Sequence, residues 1–398
     1  MRKGEKASFA YLKQNMEPNA RYIWFHAASL GEFEQGRPII EELRNSYPDY
    51  KILLTFFSPS GYEVQKNYQG ADLICYLPID TPHLAHKFLN TITPVMAFFI
   101  KYEFWYNYLH ILYKKNIPVY SVSSIFRDKQ IFFRWYGRGY ANVLRCFTHL
   151  YVQNEKSRQL LATLGIDNVT IVGDTRFDRV LQIREKAMQL PVVEQFVGDQ
   201  TAKVLVAGST WQGDEAIIIP YFNSHPNCKL IIAPHVVTED HISQIISQCT
   251  IKVLRYTEIK KNGISNEDIS DARILIIDCY GLLSSIYNYG LVTHVGGGFD
   301  PTGVHNVLEA AVWSRPVIYG PDYTEYQEAI GLRNSGGGLV VKDSLEFNAT
   351  LDKLFTDSHY LADTSAKSGE YVKSHQGATK KILEAASNTL FTFHQFKK

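Results

Sequence analysis

The chain has 398 residues, a formal net charge of +1 at pH 7 and hydrophobic side chains at 45% of its positions. A chain of this length exceeds one ordinary hydrophobic core, so two domains are expected. A net charge near zero provides no overall field that would attract nucleic acid, and no nucleic acid partner is predicted. The longest apolar run, Val95–Ile100, is far too short to span a bilayer. Any membrane contact is therefore expected to be peripheral or to use residues outside this sequence.

Cysteine and histidine spacing bears on metal sites and on the redox compartment. The five cysteines form no C-x-x-C pair. Their spacing argues against a zinc site and against a disulfide framework, and it suits a reducing cytosol. The histidines, His83 and His86 among them, show no metal-ligand spacing, so no metal is predicted.

Short apolar runs followed by turn residues and helix-like segments fill the first half of the chain. Strands that alternate with helical patterns indicate βαβ units and a parallel sheet. The predicted strands are Tyr22–His26, Lys51–Phe56, Leu73–Leu77, Val95–Ile100, Pro118–Val122, His149–Val152 and Val169–Val172.

The same pattern restarts after a polar, helical connection at Arg179–Gln200, and helices are predicted over Ser344–Thr389. The fold class predicted is α/β, with two doubly wound, Rossmann-like halves facing across a cleft. The expected domains are residues 1–185 and 186–398, and the last helices are candidates to pack back on the first domain. The predicted strands of the second half are Val204–Ala207, Lys229–Ala233, Lys252–Arg255, Arg273–Ile277, Leu291–Val295, Val317–Tyr319 and Gly338–Val341.

Charged side chains directly after the strands of the first half are candidate catalytic groups, because ligands of open α/β sheets bind at the carboxyl ends of strands. Glu32 opens a helix; it is either a carboxylate favoured by the helix dipole or a general base with a raised pKa. Glu103 follows the most apolar strand and is either a structural anchor or a site residue. Arg176 either faces a phosphate or carboxylate, or forms a surface ion pair with Asp174 or Asp178.

A strand, a glycine-rich turn and a helix start follow one another within Leu291–Pro321. Glycines 296, 297 and 298 would let a phosphate approach the backbone, and a helix predicted at 305–314 would point free N–H groups at it. Glu309, about one turn into that helix, could accept both hydroxyls of a ribose. The alternative is a turn of the kind common in α/β proteins that binds nothing. Neither a P-loop nor a dinucleotide fingerprint is present.

The segment Phe126–Tyr140 mixes three arginines and a lysine with six aromatic residues. One interpretation is an amphipathic helix that packs on its own domain. The favoured one is a surface for an amphiphilic partner, with aromatic rings at the lipid boundary and cations toward anionic headgroups.

Taken together in order and spacing, several motifs resemble one known family nearly end to end: the 3-deoxy-D-manno-octulosonic acid (Kdo) transferases of lipopolysaccharide biosynthesis. No single motif is specific. The motifs are His26–Glu32, Glu103–Trp105, Gly173–Asp178, Ala207–Thr210, Asp278–Gly281 and Gly303–Glu309.

The resemblance implies a GT-B glycosyltransferase that transfers Kdo from CMP-Kdo to the lipid A precursor, with inversion of configuration and without a metal. It places the enzyme at the cytoplasmic face of the inner membrane as a peripheral protein. By resemblance Glu32 is the catalytic base, and Glu103 and Arg176 stabilise the transition state. Candidate donor-binding residues are Ser209, Thr210, Pro234, His235, Tyr280, Gly281, Leu282, Gly297, Gly298, Asn306, Val307, Leu308 and Glu309.

Some positions depart from the family pattern. His235 stands where an arginine is usual, Leu282 where a glutamate is usual, and Arg176 where a lysine is usual. Two alternatives stay open: a GT-B enzyme that uses another sugar nucleotide, such as a UDP-hexose, and a catalytically silent nucleotide-binding protein of the same fold. The number of Kdo residues added does not follow from the sequence.

Overall fold

Residues 2–199 and 202–395 are described by the structure, a computed structural model. The chain divides into two compact units, the first comprising Met1–Arg179 and His375–Lys398, the second Val180–Ser374. The division therefore falls inside one helix, Arg176–Glu185, and again directly after Ser374. Among the described helices, none combines the length and apolar character needed to cross a membrane.

The first unit contains a parallel sheet of seven strands, and each of the seven predicted runs forms one of them. Neighbouring strands follow the order β3-β2-β1-β4-β5-β6-β7. The order reverses between β1 and β4, so the connections that leave these two strands diverge and a crevice opens at their carboxyl ends. The strands are β1 (Arg21–Ala27), β2 (Tyr50–Phe56), β3 (Leu73–Tyr76), β4 (Met96–Ile100), β5 (Val119–Ser124), β6 (His149–Val152) and β7 (Val169–Ile171).

Helices cover both faces of this sheet, and its strands are accordingly mostly apolar. Successive residues of a strand face opposite sides, so Trp24 and Phe99 lie in one buried cluster while Phe25 and Phe98 lie in the other. The helices are α1 (Arg2–Asn15), α2 (Leu30–Ser46), α3 (Pro59–Gln65), α4 (Pro82–Ile92), α5 (Tyr106–Lys114), α6 (Glu155–Ala162), the first residues of α7 (Arg176–Glu185) and, from the C-terminal part of the chain, α18 (Ala378–Gln395).

The second unit repeats this arrangement with strand order β10-β11-β9-β8-β12-β13-β14, all parallel. Here the order reverses between β8 and β12, and all seven predicted runs again form strands. The strands are β8 (Lys203–Thr210), β9 (Cys228–Pro234), β10 (Val253–Arg255), β11 (Ile274–Ile276), β12 (Val292–Val295), β13 (Val317–Tyr319) and β14 (Gly338–Val340).

Ten further helices and the end of α7 surround this second sheet. The longest, Ser358–Ser374, lies at the C-terminal end of the unit, within the range Ser344–Thr389 that was predicted to be helical. These helices are α8 (Pro191–Val197), α9 (Gln212–Ser224), α10 (Glu239–Gln248), α11 (Tyr256–Asn262), α12 (Asn266–Asp271), α13 (Leu283–Ile286), α14 (Leu308–Ala311), α15 (Gln327–Ser335), α16 (Ser344–Thr356) and α17 (Ser358–Ser374).

The helix predicted at 305–314 was wrong in extent, because only Leu308–Ala311 is helical. The N–H groups of Val304 and His305 bond instead to the carbonyl oxygens of Asp322 and Gly296, at 2.9 and 3.0 Å. These long-range bonds hold the residues before Leu308 in a loop. An N-terminal turn that presents free N–H groups at His305 is therefore absent.

Candidate active site

Glu32 lies in the first turn of α2, directly beyond the carboxyl end of β1. Its Oε2 accepts a hydrogen bond from the backbone N–H of Ala28 at 2.6 Å. Burial raises the pKa of Glu32, and the negative charge of Glu103 raises it further. The hydrogen bond from Ala28 and the electrostatic influence of His26 and Lys101 only partly oppose that rise. The result is a carboxylate of increased proton affinity at the crevice of the first sheet.

Glu103 follows β4 and is held by two ring N–H donors. Its Oε2 lies 3.0 Å from Nε2 of His26 and accepts a hydrogen bond from Nε1 of Trp105 at 2.5 Å. His26 is fully buried, and its Nδ1 lies 2.9 Å from Oγ1 of Thr55. Burial by itself would raise the pKa of Glu103, but the hydrogen bonds from His26 and Trp105 outweigh it and the pKa is lowered. Glu103 thus remains ionised beside Glu32, which is the source of its effect on that residue.

Arg176 forms the ion pair with Asp174 that was one of its two sequence-based interpretations. Its Nε and Nη2 donate to Oδ2 of Asp174 at 2.9 and 2.7 Å, and its backbone N–H donates to Oδ1 at 2.9 Å. Burial tends to raise the pKa of Asp174, but the charge and hydrogen bonds of Arg176 lower it. Arg176 also opposes the burial-induced rise in the pKa of Tyr102, a rise to which Glu32 contributes. The strand-end residues Glu32, Tyr102 and Arg176 therefore act on one another electrostatically.

In the second unit, Asp214 connects the loops that leave β8 and β12, the two strands of its switch point. The side chain is fully buried. Its Oδ2 accepts hydrogen bonds from the backbone N–H groups of Trp211 and Gly297, both at 2.9 Å, and its Oδ1 lies 3.0 Å from Nε2 of His294. Burial favours a raised pKa for Asp214, but these bonds lower it, the one with His294 most. The backbone N–H of Gly297, which was predicted to be available to a phosphate, is therefore already bonded to Asp214.

At each of the three consecutive glycines, a side chain would collide with a neighbouring loop. A Cβ atom at Gly296 would lie 2.3 Å from the carbonyl oxygen of Ser209, and one at Gly298 would lie 2.7 Å from the backbone nitrogen of Gly320. Gly297 has a φ of 92°, and a Cβ there would lie 2.9 Å from Cδ2 of His305. The glycines therefore allow close approach of neighbouring loops and of the His305 ring.

The predicted donor-binding residues fall into two groups by exposure. Thr210, Pro234, Val307 and Leu308 are buried, so they can offer a ligand only backbone groups, and the Thr210 hydroxyl already donates to Glu215 at 3.0 Å. Gly297 and Gly298 are also buried. The remaining candidates are half-buried or exposed. The exposed or half-buried residues are Ser209, His235, Tyr280, Gly281, Leu282, Asn306 and Glu309.

Some of these exposed residues are already positioned by local contacts. Asn306 donates from Nδ2 to Oε1 of Glu309 at 3.0 Å and accepts the N–H of Leu308 at 3.2 Å. The Tyr280 side chain is 73% exposed, and its hydroxyl accepts the N–H of Val237 at 3.1 Å. Ser209 lies near the end of β8, and the other exposed or half-buried candidates follow β9, β11 and β12 of the same sheet. They thus surround the carboxyl ends of the central strands of the second unit.

A stack of three rings at this edge was missed by sequence reasoning. The His235 ring is stacked on Trp211, with centroids 4.8 Å apart, and on His305, with centroids 4.4 Å apart. Nε1 of Trp211 donates to Nε2 of His305 at 2.9 Å. The available signal was the aromatic residue directly after β8, since such strand ends carry functional residues. His305 had been assigned only to the start of a helix.

Residues 3–179 match the family model of the 3-deoxy-D-manno-octulosonic-acid transferases (kdotransferases). Enzymes named 3-deoxy-D-manno-octulosonic acid transferase match most of the chain. The one from Haemophilus influenzae is 25% identical over 385 residues, covering 92% of this chain and 87% of its own. The one from Aquifex aeolicus is 27% identical over 352 residues, covering 86% of this chain and 89% of its own. Residues 3–179 therefore form a Kdo transferase family domain, and the chain is similar to Kdo transferases over most of its length.

These matches confirm the sequence-based resemblance and identify the protein as a glycosyltransferase. Solved structures confirm the predicted fold, GT-B with two Rossmann-like units. A UDP-GlcNAc 2-epimerase from Neisseria meningitidis matches with a TM-score of 0.63 and 16% identity, covering 93% of this chain and 100% of its own. Another UDP-N-acetylglucosamine 2-epimerase matches with a TM-score of 0.60 and 14% identity, covering 95% of this chain and 97% of its own. Within residues 2–199 and 202–395, no group of three or more His, Cys, Asp or Glu side chains is placed to hold a metal ion.

Proposed function

We propose that the protein is a Kdo transferase that moves Kdo from CMP-Kdo to a hydroxyl group of the lipid A precursor, lipid IVA, with inversion at the anomeric carbon. The observation that carries the proposal is Glu32, a carboxylate at the switch point of the first sheet whose pKa is raised by burial and by Glu103. A raised pKa brings a carboxylate closer to the proton affinity that a general base needs near neutral pH.

In the proposed reaction, Glu32 removes the proton of the acceptor hydroxyl while its oxygen attacks the anomeric carbon of Kdo. CMP leaves from the opposite face of the sugar, so the configuration inverts. The Ala28 N–H fixes Oε2 of Glu32 at 2.6 Å and thereby limits the orientations of the carboxylate. This restraint supports proton transfer, because a base in fixed geometry does not have to be oriented during the reaction.

Glu103 and Arg176 are the proposed stabilisers of the transition state. Glu103, kept ionised by His26 and Trp105, places negative charge where a sugar with oxocarbenium character develops positive charge. Arg176 is held by Asp174, which limits its reach and leaves a fixed guanidinium edge beside Tyr102. The proposal involves no metal ion.

The proposed donor site lies at the switch point of the second sheet. His235, Tyr280, Asn306 and Glu309 offer polar side chains there, and Glu309 is the candidate partner of the ribose hydroxyls. Support comes from the strand order, because ligands of doubly wound sheets bind at the point where that order reverses.

The reaction is tested by incubating the purified protein with a CMP-Kdo generating system and tetra-acylated lipid A precursor. Mass spectrometry of the acceptor is expected to show a gain of one or more Kdo residues. CMP is expected to inhibit more strongly than UDP, because the donor carries cytidine. Inhibition by UDP alone, with no Kdo gained, would instead favour a GT-B enzyme that uses another sugar nucleotide.

The proposed location is the cytoplasmic face of the inner membrane, with contact through the segment Phe126–Tyr140. This segment forms short 3₁₀ turns, in place of the amphipathic helix that one interpretation required. Phe126 and Phe132 are buried and anchor it, whereas Trp135 and Tyr136 are 83% and 65% exposed. Ten of its residues are exposed, and the five at its centre, Ile131, Arg134, Trp135, Tyr136 and Arg138, are here called the aromatic–basic surface.

Replacing Arg134 and Arg138 with glutamine and Trp135 with alanine is expected to weaken binding to vesicles that contain anionic phospholipid. The loss of one interfacial aromatic ring and two cations should reduce the partition coefficient by roughly tenfold or more. Vesicle co-sedimentation at low and high salt measures the effect, since the electrostatic part is screened by salt. Tyr113→Ala, at a 60% exposed tyrosine of the same unit, is the control. Equal binding by the triple variant and the control would contradict the proposed contact.

A further inference from the structure

The ring stack formed by Trp211, His235 and His305 lies where the loops after β8, β9 and β12 meet. Interplanar angles are 26° between Trp211 and His235 and 14° between His235 and His305. Two imidazoles therefore lie face to face at the switch point of the second sheet. His235 is the more exposed residue of the two, and His305 is half-buried. Imidazoles in such a position can carry a proton toward an anion.

Two hydrogen bonds and the space left by one glycine fix the position of His305. Its Nε2 accepts the indole N–H of Trp211 at 2.9 Å, and its backbone N–H donates to Gly296 at 3.0 Å. Gly297 leaves room for the ring, because a side chain there would collide with Cδ2. Since Nε2 is an acceptor, the neutral ring carries its proton on Nδ1. Protonation of Nε2 would break the bond with Trp211, so His235 is the member of the pair that is freer to take up a proton.

We propose that His235 and His305 together form a proton-dependent site for the phosphate of the nucleotide donor, in which the pair takes up one proton from solvent when the phosphate binds. This inference rests on the proposed function, because it assigns the donor's phosphate to the second unit. His235 supplies the positive charge, and the Nδ1–H of His305 supplies a neutral hydrogen-bond donor.

The surroundings disfavour the protonated form of both rings when no anion is present. Burial lowers the pKa of His235, and burial together with the neighbouring His235 lowers the pKa of His305, against an opposing effect of Asp214. Among the described residues, no carboxylate forms an ion pair with either ring. Titratable groups on the adjoining segments are Glu215, which pairs with His241 at 2.9 Å, Tyr280, whose hydroxyl accepts the N–H of Val237, and Asp300, whose carboxylate lies against Gly213.

The direction of the pH dependence follows from this arrangement. A bound phosphate stabilises the protonated pair and so raises its pKa above the value in the free protein. Donor affinity is therefore highest below the free-state pKa, and it falls as the pH rises through the pKa of the complex. If binding raises that pKa by about one unit, affinity falls about tenfold across the transition.

The test is isothermal titration of the full-length protein with CMP from about pH 5.5 to about pH 8, in buffers of different ionisation enthalpy. Wild-type protein is compared with His235→Arg, which carries a permanent charge at an exposed position, and with His359→Asn, an exposed histidine of α17 in the same unit. Free CMP binds a proton near about pH 6, and this ionisation of the free ligand is the same in every titration. The difference between variants therefore reports the histidine pair.

Wild type and His359→Asn are expected to lose about tenfold more affinity with rising pH than His235→Arg does, and to take up more protons on binding. Parallel pH profiles for wild type and His235→Arg would overturn the inference while leaving the donor proposal intact. Absence of CMP binding to wild type at every pH would overturn both.

Discussion

Glu32→Gln is expected to lower the rate of Kdo transfer by roughly 10²- to 10⁴-fold, the range that removal of a general base produces. Glutamine has nearly the same shape and can still accept the Ala28 N–H through its amide oxygen. It cannot remove a proton from the acceptor hydroxyl. The affinity for CMP should remain unchanged, because Glu32 belongs to the first unit and the proposed nucleotide site to the second. Turnover assays with calorimetric CMP binding measure both quantities.

The stability of this variant separates a catalytic carboxylate from a structural one. Because the folded-state pKa of Glu32 is raised above 4.5, its contribution to stability is full below that pH and falls as the pH rises through the folded-state pKa. At neutral pH the ionised, half-buried carboxylate therefore costs stability. A neutral glutamine removes this cost, so the melting temperature should be unchanged or higher.

Glu42→Gln is the matched control, since Glu42 is an exposed glutamate of the same helix. It should leave turnover, CMP affinity and melting temperature near the values of the wild type. Near-normal turnover of Glu32→Gln with intact CMP binding would refute Glu32 as the base. A clear loss of melting temperature would point to a mainly structural role.

The strands and the position of Glu32 could be predicted from the sequence because both depend on local patterns. The strand Met96–Ile100 is buried at all five positions, and a continuous apolar run is what a strand covered on both faces requires. Once the strands are placed, the residues that follow them must meet at one edge of a parallel sheet. This rule brought Glu32, Glu103 and Arg176 to the carboxyl ends of β1, β4 and β7.

The partners of these residues could not be predicted, because they come from distant parts of the chain. Glu103 is held by His26, 77 residues away, and His294 lies beside Asp214, 80 residues away. A histidine inside a strand, such as His26 or His294, has no local pattern that separates it from an ordinary core residue. Only the tertiary packing reveals which carboxylate it meets.

The glycine-rich stretch shows how one pattern can have two physical causes. Three glycines before a helix start are typical of a phosphate loop, but they are also needed wherever backbones pack closely. Contacts of Gly296 with Ser209 and of Gly298 with Gly320 are of the second kind. The helix was overpredicted for a related reason, since the bonds of Val304 and His305 to other loops compete with helical bonds.

Asp214→Ala is expected to destabilise the second unit by about 3–5 kcal/mol, the usual cost of removing one partner from a buried ion pair. Three donors would lose their acceptor at once: the ring of His294 and the backbone N–H groups of Trp211 and Gly297. For a unit of this size, the melting temperature should fall on the order of 10 °C. The lowered pKa of Asp214 means that this stabilisation is present above pH 3.8 and is lost as the pH falls through the folded-state pKa.

The same substitution should weaken CMP binding even where the protein remains folded, because Asp214 connects the loop of Trp211 to the loop that positions His305. Asp214→Asn retains one acceptor oxygen and should lie between alanine and wild type in both melting temperature and affinity. Asp240→Ala, at an exposed aspartate of α10, is the control and should alter neither. If Asp214→Ala lost stability but bound CMP with wild-type affinity at a temperature where it is folded, Asp214 would support the core of the second unit without shaping its ligand site. A parallel loss of stability and CMP affinity would instead indicate that Asp214 supports both the fold of the switch point and the binding of the donor.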